Sequence, residues 1–358
     1  MSICGPVRRR VILEIPEAWF ANPSDGDRHR LFYTSLLAAL AELGLLIDPI
    51  WLPRGAERAP RPTNPSDLII SFHSYGEASG NLLRCKETYI PPFYSLDPMG
   101  YSCFSQLATQ PELYWDAIAA KVQGDATRFR ENLALDLRCH NRSKYAQPNL
   151  SESIFESGYV FVPLQMQNDS VAAGTWLDQS EALRTVISAA SARGLRTIIK
   201  RHPRCTNARI AKLLGDLSHQ PEVSVSARSI HSLIEGAVLV VGANSGVLFE
   251  ALVQGKPVIS YAASDFSPIT QQARSHAELA HAIAAPSSPE PVWRDQFLYW
   301  YLNDYCVRAN DVPAIRRRIL AALERTCLSE DSSVLQRPTY QRGLYLSSLI
   351  DRIKRRLF

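Results

Sequence analysis

From Gly158 to Tyr261 short apolar segments alternate with amphipathic ones, and this cadence restricts the fold more than any other feature of the chain. Tyr159 to Leu164, Thr197 to Lys200, Val223 to Val225, Val238 to Val241 and Pro257 to Tyr261 read as strands. Helices are expected near 178 to 193, where Leu183, Val186, Ile187 and Ala190 share a face, around Ala208 to Leu217, from about Ser229, and over Ser245 to Gln254. Apolar strands joined by helices imply a parallel sheet covered on both faces, doubly wound because its crossovers are right-handed. In such a sheet ligands bind outside the carboxyl ends of the strands, so the residues that follow each strand are where chemistry is sought first.

The earlier part of the chain alternates less regularly. Arg10 to Ile15 reads as a strand, His29 to Leu43 as an amphipathic helix ended by Gly44, and Asp67 to Phe72 as a second strand after a Pro-rich loop. The stretch TYIPPFYSLDPMGYSCFSQLA, 88 to 108, is rich in Pro, aromatic and small polar residues. It reads as a functional loop or, equally, as aromatic cover for a sheet edge. Residues 145 to 157 read as a linker, giving an α/β domain over 1–150, a Rossmann-like domain over 158–285 and C-terminal helices over 290–358. Two such domains facing each other would enclose a cleft. The aromatic run FLYWYLNDYC, 297 to 306, reads as helical core.

Composition removes several functional classes. No run of eighteen apolar residues occurs, and Glu14, Pro16 and Glu17 break the first apolar segment, so neither a membrane span nor a secretory leader is expected and the chain reads as cytoplasmic. Cysteines 4, 85, 103, 139, 205, 306 and 327 form no CxxC pair, which argues against structural zinc and a disulfide framework. A net charge of +4 without a basic, aromatic-laced stripe argues against nucleic acid. The last residues, LIDRIKRRLF, form a short basic amphipathic end suited to an anionic membrane face, or equally a solvated terminal helix.

Three segments follow strands or open helices in the second domain. QMQND sets Gln165, Gln167, Asn168 and Asp169 at the end of an apolar strand, where the bland alternative is a turn whose Asp caps the next helix. KRHPRC places Lys200, Arg201, His202 and Arg204 at a strand end, a set suited to an anionic ligand, with Pro203 fixing the turn. In VVGANSGVLFEALVQGKPVISY, Gly242 and Asn244 form a tight turn, and Ser245 and Gly246 open a helix whose free N–H groups suit a phosphate, with Glu250 further along within reach of a ribose. The dinucleotide G-x-G-x-x-G, the Walker A loop and the G-x-S-x-G elbow are absent, which disfavours dehydrogenases, P-loop NTPases and serine hydrolases.

PLQMQND (163 to 169), KRHP (200 to 203) and ANSGVLFEALVQGKPVI (243 to 259), in this order, resemble the retaining β-Kdo transferases of bacterial capsule and lipopolysaccharide assembly, the KpsC and WbbB type. The aromatic loop and NRSKYAQP (141 to 148) share the resemblance, which covers roughly residues 85 to 305. It implies a GT-B-like pair of Rossmann-like domains, with the N-terminal one on the acceptor side, using CMP-β-Kdo and no metal or other cofactor. It also implies Asp169, in a Q-x-x-x-D motif with Gln165, as the nucleophile that forms a glycosyl adduct, and His202 with Pro203 as holders of the CMP phosphate. Ser245 would assist at that phosphate, Glu250 would contact the ribose, and Asp97 would be the acceptor's acid/base. The residue types suit the chemistry: an oxocarbenium-like centre is trapped by a carboxylate while donors at His202, Lys200 and the Ser245 helix start meet the charge growing on the leaving phosphate. The expected partners are thus a nucleotide sugar, a glycan or glycolipid acceptor, and the inner-membrane surface at the basic C-terminus. Two other readings remain open: a GT-B glycosyltransferase or epimerase using a UDP-sugar, and a non-catalytic polysaccharide assembly subunit.

Overall fold

The computed structural model describes residues 9–17, 23–52, 67–150, 158–326 and 337–357. Two compact units emerge: unit 1 comprises Met1–Thr88, Pro92–Tyr101 and Leu302–Phe358, and unit 2 comprises Tyr89–Pro91 and Ser102–Tyr301. The chain begins in unit 1 with β1 (Arg10–Pro16), α1 (Pro23–Glu42), β2 (Leu46–Leu52), β3 (Leu68–Phe72), β4 (Leu82–Glu87) and β5 (Phe93–Asp97). Unit 2 follows with short helical turns and then α2 (Gln123–Cys139), β6 (Tyr159–Pro163), α3 (Gln179–Ser191), β7 (Thr197–Lys200), α4 (Ala208–Leu217) and β8 (Val223–Val225). It is completed by α5 (Ile230–Gly236), β9 (Ala237–Gly242), α6 (Gly246–Val253), β10 (Val258–Ser260), β11 (Gln271–Gln272), α7 (His276–Ala284) and α8 (Pro291–Trp300). The chain then returns to unit 1 with β12 (Cys306–Arg308), α9 (Val312–Glu324) and α10 (Arg337–Leu357).

The sheet of unit 2 is parallel throughout, in the order β11-β10-β9-β6-β7-β8. Strand order runs outward in both directions from the β6–β9 pair, as in a Rossmann fold, so the crevice for a ligand opens at the carboxyl ends of those two strands. The apolar stripe expected on α3 is buried as Ala182, Leu183, Val186, Ile187 and Ala190 against Val160, Val162 and Ile199. Each fully buried Leu, Val or Ile of that stripe contributes about 1.5–3 kcal/mol. Side-chain caps fix the helix starts that face the rim: Asp178 on α3, Asn207 on α4, Ser229 on α5 and Ser245 on α6.

The sheet of unit 1 has the order β12-β5-β4-β3-β1-β2, parallel across β2, β1, β3 and β4, with β5 antiparallel to both of its neighbours. The strands over 10 to 15 and 67 to 72 are found where expected, whereas β2, β4 and β5 escape the sequence reading. Asp48 and Pro49 interrupt β2, Arg84 and Lys86 interrupt β4, and β5 lies inside the segment read as an irregular loop.

The expected domain limits need correction. Residues 102 to 150 belong to unit 2, because α2 packs along α8 and against α6. The C-terminal region is not purely helical and returns to unit 1: β12 pairs with β5, α9 packs on α1, and α10 lies on β2. Residues 151–157 of the expected linker and Phe358 of the basic end lie outside the described residues. Among the described residues no helix is long and apolar enough to cross a membrane.

Candidate active site

The polar residues after β6 and β9 converge at the crevice of unit 2. Asn244, 2% exposed, follows β9 and donates from Nδ2 to Val171 O at 2.8 Å and to Ala263 O at 3.1 Å. It thereby ties the loop after β6, which carries Asp169, to the loop after β10. The tie is reinforced by the Trp176 amide on Tyr261 O (3.1 Å) and the Ala263 amide on Gly174 O (2.9 Å). Asp265 anchors the far side: Tyr89 donates to its Oδ1 at 2.6 Å and Tyr301 to its Oδ2 at 2.9 Å. Burial and the Asp265 charge push the Tyr89 phenol well above its ordinary range, so it stays a donor. Gly174 is required by space, since a Cβ there would lie 2.5 Å from Cys103 Cβ.

Asp169 is exposed at the start of the helical turn Ser170–Gly174. Its carboxylate makes no capping hydrogen bond, and Asp178 caps α3 instead. It accepts from Ser170 Oγ at 3.3 Å, and its charge acts on His202. Gln165 stands at the strand end with its amide held by Gln179 Oε1 at 3.0 Å. Gln167 Oε1 accepts from Asn207 at 2.9 Å, so the QMQND and KRHPRC loops are directly joined.

The His202 ring accepts the Arg204 amide on Nδ1 at 3.2 Å, which places the proton of the neutral ring on Nε2. Desolvation lowers the His202 pKa, opposed by Asp169 and assisted by Arg204. Tyr145 of the 141–148 segment meets the ring edge-on at 5.1 Å, and Arg204 stands 5.4 Å from the Tyr145 centroid. Pro203 is exposed in the turn. Lys200 Nζ donates to Ala227 O at 3.0 Å and to Arg228 O, bracing the β7 end against the loop before α5 with two of its three N–H groups. Burial lowers its pKa.

The start of α6 carries Ser245, whose Oγ accepts the Val247 amide at 3.4 Å, and Gly246, where an added Cβ would make ordinary contact with Tyr89 at 3.6 Å. Glu250, 1% exposed, accepts from Ser143 Oγ on Oε1 at 2.8 Å. Its Oε2 is buried without a hydrogen-bond partner, 3.7 Å from His231 Nε2, which itself donates to Arg142 O at 2.7 Å. Burial raises the Glu250 pKa to about 8, so the carboxyl is largely protonated at neutral pH. Asn244 Oδ1 is likewise buried and unpartnered. An unpartnered oxygen therefore lies just before α6, on Asn244, and another one turn further along it, on Glu250, while the amides and dipole at the helix start favour an anion.

The segment 141–148, singled out from the sequence without assigned roles, wraps this region. Asn141 Oδ1 accepts from Ser229 at 2.6 Å, Gln147 Oε1 accepts the Ile230 amide at 3.1 Å, and Ser143 reaches Glu250. Asp97 falls elsewhere, in unit 1. It is wholly buried, and its carboxylate accepts the Met99 amide (2.7 Å), the Gly100 amide (2.6 Å) and the Tyr305 hydroxyl. A carboxylate saturated in this way braces a turn, and the acid/base role expected for it is withdrawn.

A family model described as "Capsule polysaccharide biosynthesis protein" matches residues 93–303. Among solved structures, the β-Kdo 2,4 transferase of Thermosulfurimonas dismutans KpsC is similar with a TM-score of 0.52 and 14% identity, covering 88% of this chain and 98% of that one. The β-Kdo 2,7 transferase of the same KpsC gives 0.48 and 14%, over 87% and 99% of the two chains. A UDP-GlcNAc 2-epimerase of Methanocaldococcus jannaschii gives 0.31 and 9%, over 81% and 98%. Among curated proteins no sequence matches the chain significantly.

Proposed function

This chain belongs to the capsule polysaccharide biosynthesis family, and from that premise we propose that it is a glycosyltransferase moving Kdo from CMP-β-Kdo to a surface-polysaccharide or glycolipid acceptor with retention. The observation that carries the reading is the set of groups after β6, β7 and β9: an exposed Asp169 that caps no helix and whose charge acts on His202, the Nε2–H of His202, and the α6 start between Asn244 and Glu250, each with an unpartnered oxygen. In the first step Asp169 bonds to the anomeric carbon as the bond to the CMP phosphate breaks, the electron pair leaving with that phosphate. His202 Nε2–H and the amides at Ser245 and Gly246 donate to the phosphate as its charge grows, which is where a fixed donor contributes most. In the second step an acceptor hydroxyl displaces Asp169, which leaves as the free carboxylate, and gives its proton to solvent water, and two inversions give net retention. Glu250 and Asn244 are the groups proposed to meet the nucleoside. In this proposal these donors and the α6 dipole stabilise the phosphate charge without a divalent ion.

The test is thermal stabilisation of the purified protein by CMP, UDP, GDP and ADP, without and then with magnesium. A shift with CMP alone, equal in both conditions, is expected from a bound nucleotide. A larger shift with UDP would replace the donor by a UDP-sugar, and no shift with any nucleotide would point to a non-catalytic assembly subunit.

The reading extends to an anionic membrane surface. On α10, Leu344, Ser348 and Asp351 face inward while Leu346, Leu349, Ile350 and Ile353 are exposed at helical spacing beside Arg342, Arg352 and Lys354. Apolar side chains rimmed by cations match a bilayer that bears anionic headgroups. Co-sedimentation with vesicles containing phosphatidylglycerol, lost on Ile350→Asp and on raising the salt, is the expected result; undiminished binding would remove α10 from the reading.

A further inference from the structure

Asp169 and His202 stand on different loops, and the first step of transfer depends on how far apart those loops hold them. The loop after β6 is fixed at its root, where the Gln165 amide donates to Gln179 Oε1 at 3.0 Å. The loop after β7 is fixed along its own length: the Cys205 amide closes a turn on His202 O at 2.9 Å, and Arg201 donates to Asn207 O at 3.3 Å. Neither set of bonds relates one loop to the other. The bond from Asn207 Nδ2 to Gln167 Oε1, 2.9 Å long, does so, two residues before Asp169 and five after His202.

Asn207 caps α4 with the other end of the same amide group. Its Oδ1 accepts the Arg209 amide at 2.8 Å and the Ile210 amide at 3.4 Å. Asn, Asp and Ser cap helices about equally well, so capping alone does not call for Asn here. An aspartate would offer no donor towards Gln167, and a serine hydroxyl is too close to its own backbone to cap and reach across. Because the amide is planar and its oxygen is committed to the helix, Nδ2 is aimed by α4, which is itself anchored through buried Ile210, Leu214 and Leu217. Gln167 is exposed, and a hydrogen bond there adds little to overall stability. Its place, rather than its energy, gives it a role.

We propose that Asn207 is a positioning residue: acting through Gln167, it holds the loop that bears Asp169 at a set distance from His202, the spacing that the first step of transfer requires. The inference rests on the roles proposed above for Asp169 and His202.

The experiment uses the full chain and Gln167→Met, which keeps the side-chain length, removes the acceptor and leaves the α4 cap untouched. The His202 ring is titrated by NMR, its signal identified by its loss in His202→Gln, in wild type, Gln167→Met, Asp169→Asn and the double variant. Asp169 raises the His202 pKa against desolvation, whereas Arg204, the other charge acting on the ring, lowers it and is common to all four proteins, as is the Tyr145 ring at its edge. Releasing the Asp169 loop should therefore make His202 titrate at lower pH in Gln167→Met, and should change nothing further once Asp169 is already Asn. The kcat for transfer from CMP-Kdo should fall about three- to tenfold in Gln167→Met, the loss of one hydrogen bond, with an unchanged melting temperature. Gln167→Glu, which keeps the acceptor oxygen, should restore kcat to within about twofold. An unaltered His202 titration in Gln167→Met, an equal drop with and without the Asp169 carboxylate, or an unchanged kcat overturns the positioning role and leaves the transferase reading intact. Coupled titration in a protein that transfers nothing from CMP-Kdo sinks the transferase reading and leaves the tie between the loops standing.

Discussion

Asp97 in unit 1 and Glu250 in unit 2 are both buried carboxyl groups that the sequence offers as site residues, and their surroundings differ. Asp97 takes two amides and a phenol, and each of its neighbours is fixed by it. Glu250 takes one hydroxyl, keeps an empty Oε2 and has its pKa raised to about 8. Burial alone therefore does not separate a brace from a ligand group. Saturation does: a buried charge that is fully hydrogen-bonded has its stabilising role at home, whereas an unpaired buried oxygen costs free energy that a ligand can recover. Asp169 completes the contrast, being exposed, uncapped and free of any bracing task.

The sharpest way to break this contrast is to truncate two aspartates side by side. Asp169→Ala should lose ~10³-fold or more of transfer activity, as removal of a nucleophile does. Its melting temperature should match wild type, because an exposed side chain is removed. Asp97→Ala should instead lose about 3 kcal/mol of stability in urea, as three buried donors lose their acceptor. A stable, inactive Asp97→Ala would restore the catalytic reading of that residue.

Glu250→Gln sharpens the other half. A carboxyl raised to about 8 when folded binds its proton more tightly than in the unfolded chain, so it contributes no penalty in acid. From the unfolded value upward the native state loses stability with each pH step until the folded pKa is passed. The melting temperature of Glu250→Gln relative to wild type should therefore climb between about pH 5 and pH 8 and then level off. A flat difference would mean that Glu250 is ionised throughout and that its Oε2 is not empty.

Two glycines give smaller effects. Gly174→Ala places a Cβ 2.5 Å from Cys103 Cβ and should cost about 1–3 kcal/mol, read as a lower urea midpoint. Gly246→Ala, with its nearest neighbour at 3.6 Å, should stay within about 0.5 kcal/mol of wild type. Equal costs at the two sites would mean that the loop under Asn244 yields more readily than its packing suggests.

Strands β6 to β10 of unit 2 are legible because they are predominantly apolar and the helices between them carry apolar stripes, whereas β11, Gln271–Gln272, carries no such signal. Residues 165–169, 200–204 and 242–250 were found by one rule, polar groups after a strand. What the rule does not reveal is which polar groups are already spoken for. Lys200 looked like a phosphate ligand and holds two carbonyls, and Asp97 looked like an acid and holds a turn, because those partners come from loops whose path no local pattern encodes. The strands of unit 1 were missed for a related reason. Charged residues such as Arg84 sit inside them, and β12 joins β5 from about 210 residues away, a distance at which only the folded chain supplies the pairing energy.

The return of the chain to unit 1 after Tyr301 has a consequence for biosynthesis. Unit 2 is almost continuous, so on a ribosome it has all its strands once the segment before Leu302 has emerged. Unit 1, begun first, must wait: until β12 and α9 appear, β5 presents an open edge and Asp97 lacks the Tyr305 hydroxyl. The earliest-made part of the protein is thus the last to close, and a nascent chain stalled near residue 301 would expose a strand edge ready to pair with a neighbour.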